Sequence, residues 1–557
     1  MTASIHSSTR VSDPYSERVS RREIRWVLWY GGLVMLITLL PYLLGYAVQG
    51  QDWRFTGFVF GVEDGNSYIA KMMGGSAGAW LFRTPYTAEP QRGVIAFLPY
   101  ILLGKLAAPP GLHEQLVTLF HLFRLVAGML EILITYHFLA CFIQTVSLRR
   151  AALVLATLGG GLGWVIVLLG SNLGLQDLPL EFYSPETFGF LALFGLPHLA
   201  LARAGLLYGL LAYLDSPHTP ASPFWMPVVK IGFSWLVVAL SQPLTAGIMG
   251  LLLSIAWLIF SAREWQVKRK NQTLELKMIA RSAWTLVAAG IVPGLFLAYT
   301  LYLFQIDPYL KGWTEQNIIS SPSPVYYLMA YGLVIPFAII GGVRLSKRPV
   351  TQVWLLIIWI FLLPVLAYAP TNLQRRLPEG IWVAFSILSI GAFEGARSSR
   401  WRHPVKAGWA VAIASLPSTL FLILGGVMAA NRPAAPVFQP ASAVAAFEFL
   451  ANQAKPGEVV LTSYETGNAL PAWAPVRVVI GHGPESVGLA HLSVAVEDIF
   501  TSETLEADRR NLIASWGVDY VFRGPLENEL GAWDPATSVS LTRIYQMDGT
   551  EIYHVAH

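Results

Sequence analysis

Apolar runs recur along most of the chain up to about residue 428, each ended by a short polar stretch. A helix needs about 20 predominantly apolar residues to cross a hydrocarbon layer of about 30 Å. The pattern predicts spans over residues 26–48, 114–146, 151–169, 188–214, 225–240, 244–260, 282–304, 326–343, 353–368, 381–393 and 407–428. Glycines 159–163 break the third span, and Ser241-Gln242-Pro243 parts the short fifth and sixth. Residues 49–113, between the first two spans, are neither simply polar nor apolar. Their second apolar piece, 94–106, is too short to cross and contains Pro99. Mixed character at this length predicts helices lying along the membrane surface.

Basic residues fall between these runs and report topology. Arg10, Arg18, Arg21, Arg22 and Arg25 precede the first span and place the tail 1–25 in the cytoplasm. Arg149-Arg150, the stretch 263–281, the group Arg344, Lys347 and Arg348, and the group Arg397, Arg400, Arg402 and Lys406 fall on the same side in this register. No small-residue cleavage site follows the first run, so that span is expected to stay in the mature chain. The loop 49–113 and the C-terminus then lie on the outer face.

Beyond residue 428 the pattern changes. Residues 429–440 read as a proline-bearing linker, and 441–557 as an extracytoplasmic α/β domain. Helices are predicted over 441–453 and 505–516, the second capped by Gly517. Strands are predicted over 458–462, 476–480, 518–522, 541–546 and 551–555. Alternating helices and strands make a small α/β unit. The expected fold class is a polytopic α-helical membrane protein of about eleven transmembrane helices, followed by this domain.

Composition agrees with the pattern. Of 557 residues, 54% are hydrophobic and 13% are charged, against about 25% charged in soluble domains. A net charge of +4 gives no reason to expect a nucleic-acid partner. Cys141 is the single cysteine, so no intrachain disulfide can hold the outer domain together. No Cys/His cluster has metal-ligand spacing, and no glycine-rich phosphate fingerprint follows the first strand of the C-terminal domain.

Where charge is scarce, an acidic turn about ten residues past the first span draws attention: Phe58-Val-Phe-Gly-Val-Glu63-Asp64-Gly65-Asn66-Ser67-Tyr68. A carboxylate just outside a membrane can act as a general base or hold a divalent cation. Gly65 would allow a sharp turn that brings the adjacent acids together. The plain alternative is a helix start, with Asp64 as the N-cap of a helix beginning near residue 65.

A long, partly amphipathic outer loop after the first span, carrying an acidic pair and then a tyrosine, resembles the GT-C superfamily of integral membrane glycosyltransferases, which includes protein O-mannosyltransferases, aminoarabinose transferases and oligosaccharyltransferases. Glu63-Asp64 stands where that superfamily carries its acidic motif. The resemblance implies Asp64 as the base that activates an acceptor hydroxyl and Glu63 as a supporting acid. It implies an inverting transfer from a polyprenyl-phosphate-linked sugar to a glycan, lipid or protein acceptor. The donor phosphate would need cations at the outer face. Arg375 and Arg376 fit that need, with Lys71, Arg54 and Arg83 as further candidates. The alternative for the arginine pair is anchoring of a span end.

Four more readings follow from the residues. His121, Arg124 and Glu131 share one helical face by their spacing. They either line a cavity with Tyr68 and His198 or fix helix packing through an internal Arg–Glu pair. His198 and Arg203 form a similar pair. The stretch 181–186 offers acids and aromatics that either touch sugar or sit at the interface by default. Gly481-His482-Gly-Pro-Glu485 is either a lid over the cavity, with His482 and Glu485 near the acceptor, or a plain loop. Two other functions remain in view. A transporter or flippase of a lipid-linked glycan would show internal repeats with paired broken helices, and no matching halves are seen. A noncatalytic scaffold would tolerate Asp64→Asn.

Overall fold

The computed structural model describes residues 19–170, 172, 177–216, 223–267, 272–347, 352–395 and 403–556. Arg10, Arg18, Arg348, Arg397, Arg400 and Arg402, expected to mark the cytoplasmic side, lie outside the described residues.

Each apolar run is helical in the described residues, but several runs are broken. Five helices are long and apolar enough to cross a membrane: Arg21–Val48, Leu112–Ala140, Pro243–Trp265, Leu276–Ile306 and Pro404–Ala430. The bent pairs Val146–Leu158 with Gly163–Leu169 and Pro324–Gly332 with Ile335–Ser346 bring the number to seven if each is one span. Trp225–Ser241, Val353–Ala367 and Ile381–Gly391 are shorter apolar helices. The long run 114–146 is not one helix: its chain turns after Ala140, and Val146 starts the next helix. Hydropathy could not see that turn, because Cys141–Ile143 stays apolar while it leaves the helix.

The loop 49–113 contains two helices, Val62–Ser76 and Leu98–Gly104. They meet backbone to backbone. A Cβ on Gly75 would strike the Ile101 carbonyl, and one on Gly104 would strike the Met72 carbonyl. Gly104→Val should therefore destabilise the protein by about 1–3 kcal/mol, the usual cost of overpacking. Thermal unfolding in detergent would measure it.

The C-terminal part carries a mixed sheet. Strand β1 (Trp53–Phe55) lies in the first loop and pairs antiparallel with β2 (Phe438–Pro440), so the end of the expected linker is a strand. Strands β3 (Val459–Leu461), β4 (Arg477–Val478), β5 (Tyr520–Arg523), β6 (Leu541–Met547) and β7 (Thr550–Val555) form the larger sheet in the order β4-β3-β5-β7-β6. The β3 strand is parallel to β4 and β5, while β7 is antiparallel to β5 and β6. The helices Ala441–Gln453 and Glu506–Ser515 fall where the pattern predicts. Tyr464–Ala469 and Leu489–Phe500 are additions.

This part does not bury its core alone. Ile69, Met72 and Met73 of the first loop and Leu116 and Phe120 of the following span share one apolar cluster with Phe447, Leu450, Val460, Leu470 and Phe522. His113 stacks on Trp473 at 3.5 Å between ring centres and meets the Ala472 carbonyl at 3.0 Å. The sheet is thereby seated on the loop that carries the acidic pair.

Candidate functional site

Helix Val62–Ser76 starts one turn earlier than the capping alternative requires. Gly61 is its N-cap, in the left-handed region at φ 53°, and Glu63 and Asp64 both lie in the first turn. Negative charge there is favoured by the helix dipole. Gly65 does not make the turn; Gly61 does. Gly65 is needed for room instead, because a Cβ there would enter the Phe58 ring.

The two acids meet the segments that follow β3 and β4 of the sheet. Tyr464, just past β3, donates its hydroxyl to Glu63 Oε1. The Gly483 N–H donates to the same oxygen at 3.4 Å. His482, in the loop after β4, places Nε2 3.3 Å from Asp64 Oδ1. Both contacts thus come from the C-terminal ends of adjacent parallel strands, where α/β sheets commonly place their sites. Asn468 adds a hydrogen bond to the Glu63 carbonyl at 3.3 Å and one from Asn66 at 2.8 Å. Tyr464 and Asn468 were not singled out from the sequence; the polar turn after β3 was the available signal.

The Asp64 side chain is 60% exposed. Partial burial raises its pKa, but the hydrogen bond and charge of His482, with the charges of Arg376 and Lys71, outweigh that and hold it below the usual carboxylate range. Beneath it lies a buried chain. His482 Nδ1 stands 3.5 Å from Glu485 Oε1. Glu485 accepts from Lys71 at 2.6 Å, from Ser67 at 2.8 Å and from Thr84. Burial raises the Glu485 pKa, and Lys71 and His482 bring it down to a net lowering. Lys71 and Glu485 are thus a closed ion pair with side chains 1% and 2% exposed. Lys71 is not presented to a phosphate, and Glu485 is not on a lid; both clamp the sheet to the first loop. Breaking such a pair from one side costs about 3–5 kcal/mol. Lys71→Met should loosen the C-terminal part and expose it to limited proteolysis, and Lys71→Met with Glu485→Gln should recover part of the loss.

Tyr68 stacks on Tyr100 at 4.8 Å, and Tyr100 O–H meets His198 Nδ1 at 2.7 Å. Burial, with the Asp64 charge, pushes the Tyr68 phenol well above its usual pKa, so it stays neutral. Arg376 stands near enough for its charge to act on Asp64, Tyr68 and His198 together. Its Nε lies 3.4 Å from Glu186 Oε1. Neither of its terminal nitrogens has a hydrogen-bond partner among the described residues. Arg375 turns away and lies over the Tyr183 ring at 4.3 Å. Arg54 bonds the carbonyls of Gly50, Gln51 and Trp53, and Arg83 is exposed.

The intramembrane polar residues divide differently from the expectation. His121 bonds the Gly57 carbonyl at 3.0 Å and accepts from Arg124, which also reaches Thr38 at 2.8 Å and the Leu193 carbonyl at 3.1 Å. Arg124 does not pair with Glu131. That carboxylate meets Arg203 at 3.2 Å, and Arg203 also meets Glu379 at 2.8 Å. Arg203 donates on to the carbonyls of Pro185 and Glu186, and the Gly380 N–H donates to Glu186 O at 2.9 Å. His121 and Arg124 are thus tied to Gly57, Thr38 and Leu193, and Glu131 to Arg203. Arg203 also parts company with His198 and instead ties together the two loops that carry Glu186 and Arg376. In the 181–186 stretch, the buried Glu181 caps Gly163 at 2.6 Å and does not face the site.

Among the described residues, no three His, Cys, Asp or Glu side chains are placed to hold a metal ion.

No protein-family model matches the chain, and no curated protein matches it by sequence. Solved structures do match. The oligosaccharyltransferase of Archaeoglobus fulgidus in its apo form is similar over 90% of this chain and 70% of its own, at 14% identity and a TM-score of 0.55. The same oligosaccharyltransferase in complex with an inhibitory peptide and a dolichol-phosphate is similar over the same shares, at 14% identity and a TM-score of 0.52. The arabinofuranosyltransferase AftD from Mycobacteria is similar over 97% of this chain, at 13% identity and a TM-score of 0.56. This chain spans 40% of AftD. At these identities the likeness is one of fold, and the matched structures are those of GT-C glycosyltransferases.

Proposed function

We propose that the protein transfers a sugar from a polyprenyl-phosphate donor to an acceptor at the outer face of the membrane, with inversion at the anomeric carbon. Asp64 Oδ2, which has no hydrogen-bond partner among the described residues, takes the acceptor proton. The acceptor oxygen bonds to the anomeric carbon as the bond from that carbon to the phosphate oxygen breaks. The leaving phosphate keeps the electron pair, and the free nitrogens of Arg376 offset its gain in charge. His482 orients Asp64, and Glu63 holds the sheet in place through Tyr464. The observation that carries this reading is an exposed Asp64 within electrostatic reach of Arg376, whose Nε pairs with Glu186 and whose terminal nitrogens have no hydrogen-bond partner among the described residues. The structure of the archaeal enzyme with a dolichol-phosphate supports a lipid-phosphate donor. The outer-face topology rests on the basic residues between spans.

The test is transfer from defined polyprenyl-phosphate sugars by purified protein, wild type against Asp64→Asn. Equal rates would remove Asp64 from the mechanism, and no transfer by either protein with any donor would favour a scaffold. Arg376→Ala is expected to lower kcat/KM by about 10²–10³-fold, the size seen when one charge-stabilising donor is lost. Arg375→Ala is expected to change it far less. Equal losses would show that the two arginines share the phosphate.

A further inference from the structure

Helix Pro308–Gln316 follows the long helix that ends at Ile306. Asp307 caps it, accepting from the Tyr309 and Leu310 N–H groups at 3.0 and 3.1 Å. Tyr309, Leu310 and Trp313 pack on Phe82, Val94 and Ile101 of the loop 49–113. The helix is thereby fixed to the loop that carries Asp64.

From there it also grips the segment after β4. Gln316 Nε2 donates to the carbonyls of Gly483, Pro484 and Ser486 at 2.9, 3.1 and 2.9 Å, and its Oε1 accepts from the Gly488 N–H at 3.0 Å. Two amide hydrogens serve three carbonyls, so one hydrogen is shared. Tyr309 donates its hydroxyl to the Glu485 carbonyl. Four consecutive carbonyls, 483–486, are thus satisfied by two side chains of one helix. Gly312 lets the two segments approach, because a Cβ there would lie 2.7 Å from Val487 Cγ1. The same peptides shape the turn that displays His482. Its carbonyl accepts from the Glu485 and Ser486 N–H groups at 2.9 and 2.8 Å. Gly481, Gly483 and Gly488 give this segment little stiffness of its own. The Lys71–Glu485 pair ties one of its side chains down, and Gln316 ties its backbone.

We infer that Gln316 is a positioning residue: by holding the backbone of 483–488 it sets where His482 meets Asp64, and so how Asp64 receives the acceptor proton. The inference rests on the role proposed above for Asp64, but the hold on His482 can be measured without it. The full-length protein in detergent is treated with diethyl pyrocarbonate at constant pH, and modification of His482 is followed by mass spectrometry. The His482 side chain is 7% exposed, and the exposed His491 serves as an internal control. In Gln316→Ala, His482 should react about tenfold faster, since each neutral hydrogen bond lost is worth about two- to tenfold in the population of the released form. His491 should react as before. Tyr309→Phe keeps the ring and loses one bond, so it should show a smaller change of the same kind, and it serves if Gln316→Ala does not fold.

Transfer by Gln316→Ala should fall about ten- to a hundredfold, as when a reacting group is displaced by about an ångström. His482 faces Asp64 and Glu485 and lies 5.4 Å from the Tyr86 ring. Asp64 feels His482, Arg376 and Lys71, and Gln316 bonds neither of the last two. The acid limb of the pH–rate profile should therefore move in Gln316→Ala as it does in His482→Ala, to higher pH. The double variant should be no worse than His482→Ala alone. Unchanged modification of His482 in both Gln316→Ala and Tyr309→Phe overturns the inference. Faster modification with transfer and acid limb unmoved also overturns it, and leaves Gln316 a packing residue. Release of His482 by Gln316→Ala in a protein whose wild type transfers no sugar would sink the reaction and keep the hold on the loop.

Discussion

Asp64→Asn should reduce sugar transfer by about 10²–10⁴-fold, the usual contribution of a positioned general base, and leave the fold intact. The asparagine keeps the size and a hydrogen bond to His482 but cannot take a proton. The fold should survive because the side chain is 60% exposed and its one hydrogen-bond partner among the described residues, His482 at 3.3 Å, can also bond asparagine. Surface changes of that kind usually move stability by less than about 0.5 kcal/mol. Because the pKa of Asp64 is lowered, the carboxylate is ionised at neutral pH and activity should fall only when pH drops through that lowered value. It is correspondingly a weak base, so the proton should move late, when the acceptor oxygen has already begun to bond to carbon. His482→Ala removes the hydrogen bond and charge that lower the pKa. The acid limb of the pH–rate profile should then move to higher pH. A limb that stays in place would mean that another group controls it.

Arg203→Met should cost about 3–5 kcal/mol of stability. It strands Glu131 and Glu379, whose side chains are 3% and 0% exposed, and frees the carbonyls of Pro185 and Glu186. Lone buried charges of this kind are costly. The triple change Arg203→Met, Glu131→Gln, Glu379→Gln should recover most of the loss, since a buried ion network can be replaced by apolar or neutral groups at little net cost. Thermal unfolding in detergent would read both. Transfer activity should not return with stability in the triple variant, because the loops carrying Glu186 and Arg376 would still lack their tie. Full recovery of both would make Arg203 a packing residue only.

Much of the helical body was legible because apolar runs of that length admit one structure in lipid. The ends of those helices were less so. Cys141–Ile143 is apolar yet not helical, and hydropathy cannot register a turn that keeps its side chains apolar. The strands of the C-terminal sheet were legible from short β-branched runs between turns. The helix at 464–469 is too short for periodicity to reveal. Glu63, Asp64, His482 and Arg376 could be flagged because charge is rare in this chain, and Tyr68 because it follows the acidic pair. Their partners could not. Asp64 meets His482 across 418 positions, and Glu63 meets Tyr464 across 401. One-chain spacing carries no information at that range. For the same reason Arg124 and Glu131, well spaced on one helix, looked like a pair, while Glu131 belongs to Arg203 on another.

The short ladder between β1 and β2 also sets an order of events during synthesis. Phe55 pairs with Phe438, so the first-loop strand waits for about 380 further residues to be made. At about 5–20 residues per second, that delay is roughly 20–80 s. Through that interval the helix carrying Glu63 and Asp64 lacks the apolar cover supplied by Phe447, Leu450 and Leu470, and Asp64 lacks His482. Ribosome-stalled chains that end before β2 should insert their apolar helices yet leave the first loop open to protease. The candidate site is then completed only once the C-terminal part has been made, although its acidic residues are among the first to leave the ribosome.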